Sequence, residues 1–293
     1  MIINQLVKYC HENYSLKKGQ CSLCPNHEFG QCSSKNCSLC FSAMFFNSGR
    51  TFNCVNSTYS YVCRYIYQYY SEILFLLRAI KTVFTDNGVQ KYEHINVTSI
   101  GCGPCSEAFS VNSFFKEINF NGKIVYNGYD LNNQWQNIHA QLKQILPFDL
   151  NFIYENCFLH MKSISQEEYP NLLILNYVLS DIYKNGNINE FIESLVDVII
   201  DKMPSRSIII INDINHYNPR DYYKIIIKKV GLKNNIRCLS ASFSGYPYGN
   251  IHRSYYSYIP LKQETIQGLI KLYETKFICS SAQLVIYKKS DKQ

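Results

Sequence analysis

V-T-S-I-G-C-G-P-C-S-E-A-F, residues Val97 to Phe109, decides the fold. It opens as an apolar, β-branched strand, turns through Gly101 and Gly103, and closes on Ser106 and Glu107, residue types that favour the first turn of a helix. Glycine at 101 and 103 lets the backbone turn sharply and approach a ligand where a Cβ would collide. A lone G-x-G more often marks a plain tight turn than a site for a nucleotide-like cofactor, so the strand-turn-helix context carries the weight.

Downstream of this stretch the pattern repeats. Ile95 to Ile100, Lys123 to Gly128, Asn151 to Tyr154, Asn171 to Tyr177 and Ser207 to Ile211 are short runs apolar enough for burial, and they alternate with stretches compatible with helices. That alternation predicts an α/β fold with a doubly wound, mostly parallel sheet. Ile236 to Phe243 and Ser280 to Tyr287 lack a long intervening helix and are expected to pair as an antiparallel C-terminal edge hairpin.

Upstream, Asp86-Asn87-Gly88 is a turn signal. Before it, Tyr61, Tyr65, Ile66, Tyr69, Ile73, Leu76 and Leu77 recur at three- and four-residue spacings, so residues 58 to 84 predict a helix with one apolar face. Residues 10 to 57 are rich in Cys, Ser, Asn and Gly and show little periodicity. The expected division is a small Cys-rich module over 1–57, a helical cap over 58–88 and the α/β domain over 89–293.

Of the 293 residues 46% are hydrophobic and 17% charged, which argues against disorder. Lysine and arginine exceed aspartate and glutamate by 29 − 22 = 7, mostly in scattered pairs such as Lys228-Lys229. That excess leans toward polyanionic partners without demanding them. The first fifteen residues lack a secretory signal, and the apolar stretch from Tyr59 to Phe84 carries Arg64, Glu72, Arg78 and Lys81, unsuited to a bilayer. The expectation is a cytoplasmic protein with no membrane segment, its cysteines reduced.

The second strand ends in Tyr129-Asp130, which places a carboxylate at the edge where ligands of open α/β sheets bind. It can accept both hydroxyl hydrogen bonds of a ribose; the plainer alternative is a turn or helix cap. With this pairing the chain resembles the class I, Rossmann-like S-adenosylmethionine-dependent methyltransferases, in which an apolar strand runs into G-x-G and the next strand ends in an acid. The resemblance covers roughly Ile95 to Lys288 and implies S-adenosylmethionine as cofactor. Its site would be formed by Gly101, Cys102, Gly103, Asp130, Leu131, Asn156 and Asn176. Asn156 falls where members often keep an adenine-contacting acid. Cys105 replaces the third glycine of many members, which implies a tighter loop that crowds the methionine end.

Methyl transfer from a sulfonium is an in-line displacement that needs alignment and, for some acceptors, removal of a proton. The loop after the fourth strand offers Asn176, Tyr177, Ser180 and Asp181; the loop after the fifth offers Asp213, Asn215 and His216. Asp181 and His216 are the candidate catalytic residues, each also readable as an ordinary cap or loop residue. No D/N-P-P-Y/F run follows the fourth strand, and Pro104-Cys105 lies in the glycine loop rather than where cytosine-directed members keep a nucleophile, so Cys105 reads as packing. A nicotinamide-binding oxidoreductase fits less well, since Ser106 stands where the third glycine of G-x-G-x-x-G would be and Pro104 removes a backbone donor.

Cys21-x-x-Cys24 and Cys37-x-x-Cys40 are separated by twelve residues, a spacing that lets two knuckles converge on one tetrahedral ion. Cys32 and His27 are spare ligands. Zinc is the first expectation and an iron-sulfur cluster the alternative. Such a module would brace the cap, or read RNA or protein with Lys17, Lys18, Lys35 and Arg50. The overall expectation is a methyltransferase with a metal-bound cap, its acceptor open between RNA, narrowly ahead, and a small metabolite. The alternative is a noncatalytic binding protein of the same fold, associated with RNA or the ribosome, since Y-V-L-S-D resembles methyltransferase-like proteins of the small ribosomal subunit.

Overall fold

Strands buried on both faces lose polar alternation, because each successive side chain enters a different apolar layer. Leu172, Ile174, Ile208 and Ile210 join one core, while Leu173, Leu175, Ile209 and Ile211 join the other. These residues form the centre of the sheet in a computed structural model, which describes residues 1–14, 52, 54–86, 93–184, 186–231, 235–243 and 267–289. The cysteine-knuckle residues Cys21, Cys24, His27, Cys32, Cys37 and Cys40, and the basic residues Lys17, Lys18, Lys35 and Arg50, lie outside the described residues.

In chain order the elements begin with α1 (Ile3–Asn13), α2 (Val55–Ala79), α3 (Lys81–Asp86), β1 (His94–Ile100), α4 (Ser106–Glu117), β2 (Lys123–Tyr129), α5 (Gln136–Ile145) and β3 (Asp149–Ile153). They continue with α6 (Cys157–Met161), β4 (Leu172–Asn176), α7 (Leu179–Lys184), α8 (Ile188–Ser194), β5 (Ile208–Ile214), α9 (Tyr217–Gly231), β6 (Ile236–Ser242), α10 (Gln267–Tyr273) and β7 (Ser281–Lys288). The seven strands form one sheet in the order β3-β2-β1-β4-β5-β7-β6. The first five pair in parallel, and β7 runs antiparallel to both β5 and β6. The doubly wound, mostly parallel sheet is therefore as expected. The antiparallel pair lies at the sheet edge with β7 inserted, so that β6 is the outermost strand.

One face of the sheet is covered by α1 to α5, the other by α6 to α9. On the first face Ile3, Leu6, Val7 and Cys10 of α1 recur at helical spacing and are buried in the same core as α2. Tyr67 Oη of α2 donates to Asn4 Oδ1 at 3.0 Å. The long helix begins at Val55, earlier than its apolar pattern suggests, and in its first turn the Ser57 and Thr58 hydroxyls donate back to the carbonyls of Cys54 and Val55 at 2.6 and 2.7 Å. It also stops at Ile80, whose backbone leaves helical geometry, and α3 restarts at Lys81. Among the described residues no helix is long and apolar enough to cross a membrane.

Candidate cofactor cleft

β1 pairs with β2 on one side and β4 on the other, so the chain winds away in two directions and a crevice opens at the carboxyl ends of these strands. A cleft of about 1370 Å³ lies there, larger than the roughly 300–1,000 Å³ of a pocket for a single small ligand. The glycine loop forms its floor. Gly101 (φ +60) and Gly103 (φ +44) both adopt left-handed backbone, and a Cβ on Gly101 would meet Val178 Cγ2 at 2.8 Å. Cys102 N–H donates to the carbonyl of Tyr129 at 3.0 Å, which fastens the loop to the end of β2.

Asp130 completes the fastening. Its Oδ2 accepts from Gly103 N–H and its Oδ1 from Asn132 N–H, both at 2.8 Å. Burial lifts this carboxyl above its ordinary range, against the Asn132 and Gly103 N–H groups and His139, which hold it down. The plainer reading of Asp130 as a loop-closing residue is thus realised. Each oxygen keeps a second lone pair, however, and the residue lines the cleft.

Cys105 takes the left-handed conformation that a third glycine would supply (φ 54). Its side chain is fully buried and is not among the cleft-lining residues, which include Cys102, Gly103, Pro104 and Ser106. The thiol adds nothing to the lining and turns toward His139 Nε2, 3.5 Å away. The His139 ring stacks on Phe152 with centroids 3.9 Å apart, and its Nδ1 is 2.6 Å from Tyr154 Oη.

Beneath the loop runs a buried polar chain. Glu107 accepts from Ser99 Oγ at 2.5 Å, Tyr126 Oη at 2.8 Å and Ser106 Oγ at 3.2 Å. Asn176 Nδ2 donates to Ser106 Oγ at 3.1 Å, and Asn212 Nδ2 donates to Asn176 Oδ1 at 2.8 Å and to Glu72 Oε2 at 3.0 Å. Glu72, on α2, also accepts from the backbone N–H groups of Ser280 and Ser281 at 2.8 and 3.3 Å. Burial raises its pKa, while Asn212, Ser280, Gln68 and Tyr177 donate to the carboxylate and oppose that rise. A carboxylate on the cap helix thus secures β5, β7 and, through Asn176, the first turn of α4.

Gly101, Cys102, Gly103, Asp130, Leu131, Asn156, Asn176 and Asp181 all line the one cleft. Leu131 is 78% exposed there, an apolar side chain with little protein around it. Asn156 caps α6, its Oδ1 accepting from Phe158 N–H at 2.9 Å. His216 follows β5 and is not among the cleft-lining residues. Asp213, counted by pattern as a loop residue, lies within β5; its pKa is pushed up to about 6 by burial, against hydrogen bonds from Ser180 and Ile214 N–H.

Pattern reading missed Glu72, Trp135, His139 and Asn212. Glu72 alone left a signal, a carboxylate within an apolar helical stretch. The tyrosines at helical spacing serve two purposes at once: Tyr61 and Tyr69 are buried in the core and, with Phe52, Trp135 and Tyr177, give the cleft an aromatic wall. Phe52 packs on Trp135 at 4.8 Å and Tyr69 on Tyr177 at 4.1 Å. S-adenosylmethionine, which the resemblance implies, fits this donor set. Gly103, Trp135 and Asp130 line the same space, and the Asp130 carboxylate keeps acceptor capacity beyond its bonds to Gly103 and Asn132.

No protein-family profile matches the chain, and no curated protein matches it. Solved structures do resemble it. One is a candidate class I S-adenosylmethionine-dependent methyltransferase from Listeria monocytogenes, with 8% identity and a TM-score of 0.47 over 76% of this chain and 61% of that one. Another is an S-adenosylmethionine-dependent methyltransferase from Archaeoglobus fulgidus, 16% identical, TM-score 0.38, over 72% and 94%. A third is the O-methyltransferase TomG from Streptomyces achromogenes in complex with its cofactor, 6% identical, TM-score 0.40, over 76% and 90%. At these scores the chemistry of the cleft rests on its own residues.

Proposed function

We propose that the protein is an S-adenosylmethionine-dependent methyltransferase, on the observation that the left-handed glycine loop and the Asp130 carboxylate face one cleft at the point where the sheet changes winding direction. Bound there, the cofactor supplies a methyl carbon on a sulfonium, open to in-line attack. The backbone of Gly101, Cys102 and Gly103 would hold its amino-acid portion. Asp130 would accept the ribose hydroxyls with the lone pairs that Gly103 and Asn132 leave unused, and Leu131 and Asn156 would hold the base. Asp181, at the start of α7, takes up the proton that the acceptor gives away. His216 has no part in this assignment.

The lining supports one class of acceptor over another. Among the described residues the cleft is lined by the acidic residues Asp130, Glu155, Asp181 and Glu190 against the single basic residue Lys162, the Glu107 carboxylate being turned into the buried chain beneath the loop. Such a lining attracts cations and repels phosphates, and the aromatic wall adds quadrupoles that favour a positive or neutral planar group. This suits a sulfonium cofactor beside a neutral or cationic aromatic acceptor and weighs against an RNA strand in the cleft itself.

Calorimetric titration of S-adenosylmethionine and S-adenosylhomocysteine into wild type and Asp130→Asn, with NADH as control, tests the assignment. Saturable binding of both sulfur ligands, weakened at least tenfold in the variant and absent for NADH, is the expected result. A folded wild type that binds neither removes the methyltransferase reading and leaves a noncatalytic protein of this fold.

A further inference from the structure

The run Cys102-Gly103-Pro104-Cys105 brings two thiols to one side of the glycine loop, and α5 brings His139 to meet them. Cys102 Sγ, Cys105 Sγ and a ring nitrogen of His139 all lie within 4.8 Å of one another, and all three residues are buried. Tetrahedral zinc holds thiolates at about 2.3 Å and imidazole at about 2.0 Å, which sets sulfur and nitrogen ligands about 3.6 Å apart. His139 Nε2 lies 3.5 Å from Cys105 Sγ and 3.9 Å from Cys102 Sγ, on either side of that spacing. The ring is also oriented as a ligand's would be. Phe152 fixes its plane and Tyr154 Oη sits on Nδ1, leaving Nε2 turned toward the sulfurs. Nε2 is 2.7 Å from the Gly103 carbonyl oxygen, a contact that a bound ion would replace.

We propose that Cys102, Cys105 and His139 form a site for a thiophilic d10 metal ion of the zinc class, seated behind the cofactor loop and joining it to α5. Its three ligands are other residues than the cysteines of the N-terminal knuckles, and none of their side chains is assigned a part in the methyl-transfer step. Two thiolates balance a divalent charge in a buried place, and three protein ligands leave one position of the tetrahedron for water or another donor. The two thiol protons leave on binding, so the affinity rises with pH. The ion would hold Cys102 and Cys105 at fixed separation and with them the turn at Gly103, whose N–H binds Asp130.

The test uses the full chain with Cys21, Cys24, Cys32, Cys37 and Cys40 replaced by serine, so that Cys102 and Cys105 are read without the N-terminal knuckles, eight of the thirteen cysteines remaining. Titrated anaerobically with cobalt(II), it should develop a thiolate-to-metal charge-transfer band and tetrahedral visible bands that saturate at one ion per chain and are displaced by zinc. Adding Cys102→Ser or His139→Ala should abolish the saturating signal. Should those variants misfold, X-ray absorption at the zinc edge on the parent protein decides alone, a mixed sulfur and nitrogen shell being expected. A folded, reduced parent that takes up no ion, or that forms a Cys102–Cys105 disulfide in the presence of zinc and a thiol buffer, overturns the proposal.

Discussion

Gly101 is constrained twice, by a left-handed backbone and by Val178, and the two constraints can be separated by mutation. A non-glycine residue in that backbone costs roughly 1–2 kcal/mol, and the 2.8 Å approach of a Cβ to Val178 adds to it. Gly101→Ala should therefore lower stability by about 2–3 kcal/mol in urea unfolding. Combined with Val178→Ala, the loss should fall short of the sum of the single losses by about 1 kcal/mol, because the contact part is relieved and the backbone part is not. Strict additivity would mean that the loop moves away from Val178 at no cost. The same residue marks what was legible in the sequence. Gly101, Gly103 and Asp130 could be read because their requirement is local: a turn, a strand end and the spacing between them. Cys105 could be read only in part: it reads as packing and is buried, but the group its thiol meets, His139, belongs to the next helix.

A buried carboxylate on α2 ties that helix to the sheet. Glu72 is fully buried and accepts hydrogen bonds from Asn212, Gln68, Ser280 and Ser281. Leucine at this place would leave several buried donors unanswered, each costing on the order of 1–3 kcal/mol. Glu72→Leu is therefore expected to destabilise the protein by at least about 3 kcal/mol in thermal or urea unfolding. It should also weaken ligand binding in the cleft, because Asn212 and Asn176 carry the chain of hydrogen bonds to the first turn of α4. Retained ligand affinity in a variant that is merely less stable would show that the polar chain supports the fold alone. Such elements were unequally legible. The central strands β4 and β5 appear as the unbroken apolar runs Leu172–Leu175 and Ile208–Ile211 because both of their faces are buried, whereas β2 and β3 keep exposed polar residues. The break of the long helix at Ile80 could not be read, since its apolar spacing continues to Phe84 and backbone geometry alone interrupts it. Nor could the insertion of β7 between β5 and β6, a pairing between segments far apart in the chain.

Burial of carboxyl groups gives the whole molecule a direction of pH dependence. Asp213, Glu72 and Asp130 are all raised above their ordinary values by desolvation, so the folded state holds their protons to higher pH than the unfolded chain does. A raised acid contributes stability that is complete below its unfolded pKa and is lost as the pH rises through its folded value. For Asp213, which titrates at about 6 when folded, the loss falls between about pH 4 and pH 6 and totals roughly 3 kcal/mol, of which about 1 kcal/mol falls between pH 5 and pH 7. Glu117 acts oppositely, its carboxyl held down by the Arg78 guanidinium, but that contribution is lost only on acidification through its lowered value and leaves this window untouched. The protein should therefore melt at a higher temperature at pH 5 than at pH 7. Asp213→Asn isolates the responsible group: asparagine keeps one acceptor for the Ser180 and Ile214 N–H groups and cannot ionise. Its destabilisation should thus be greater at pH 5 than at pH 7, and its melting temperature should change less between the two. A variant whose pH profile runs parallel to that of wild type would mean that Asp213 is already ionised in the folded protein at pH 5, with the two backbone N–H groups outweighing burial.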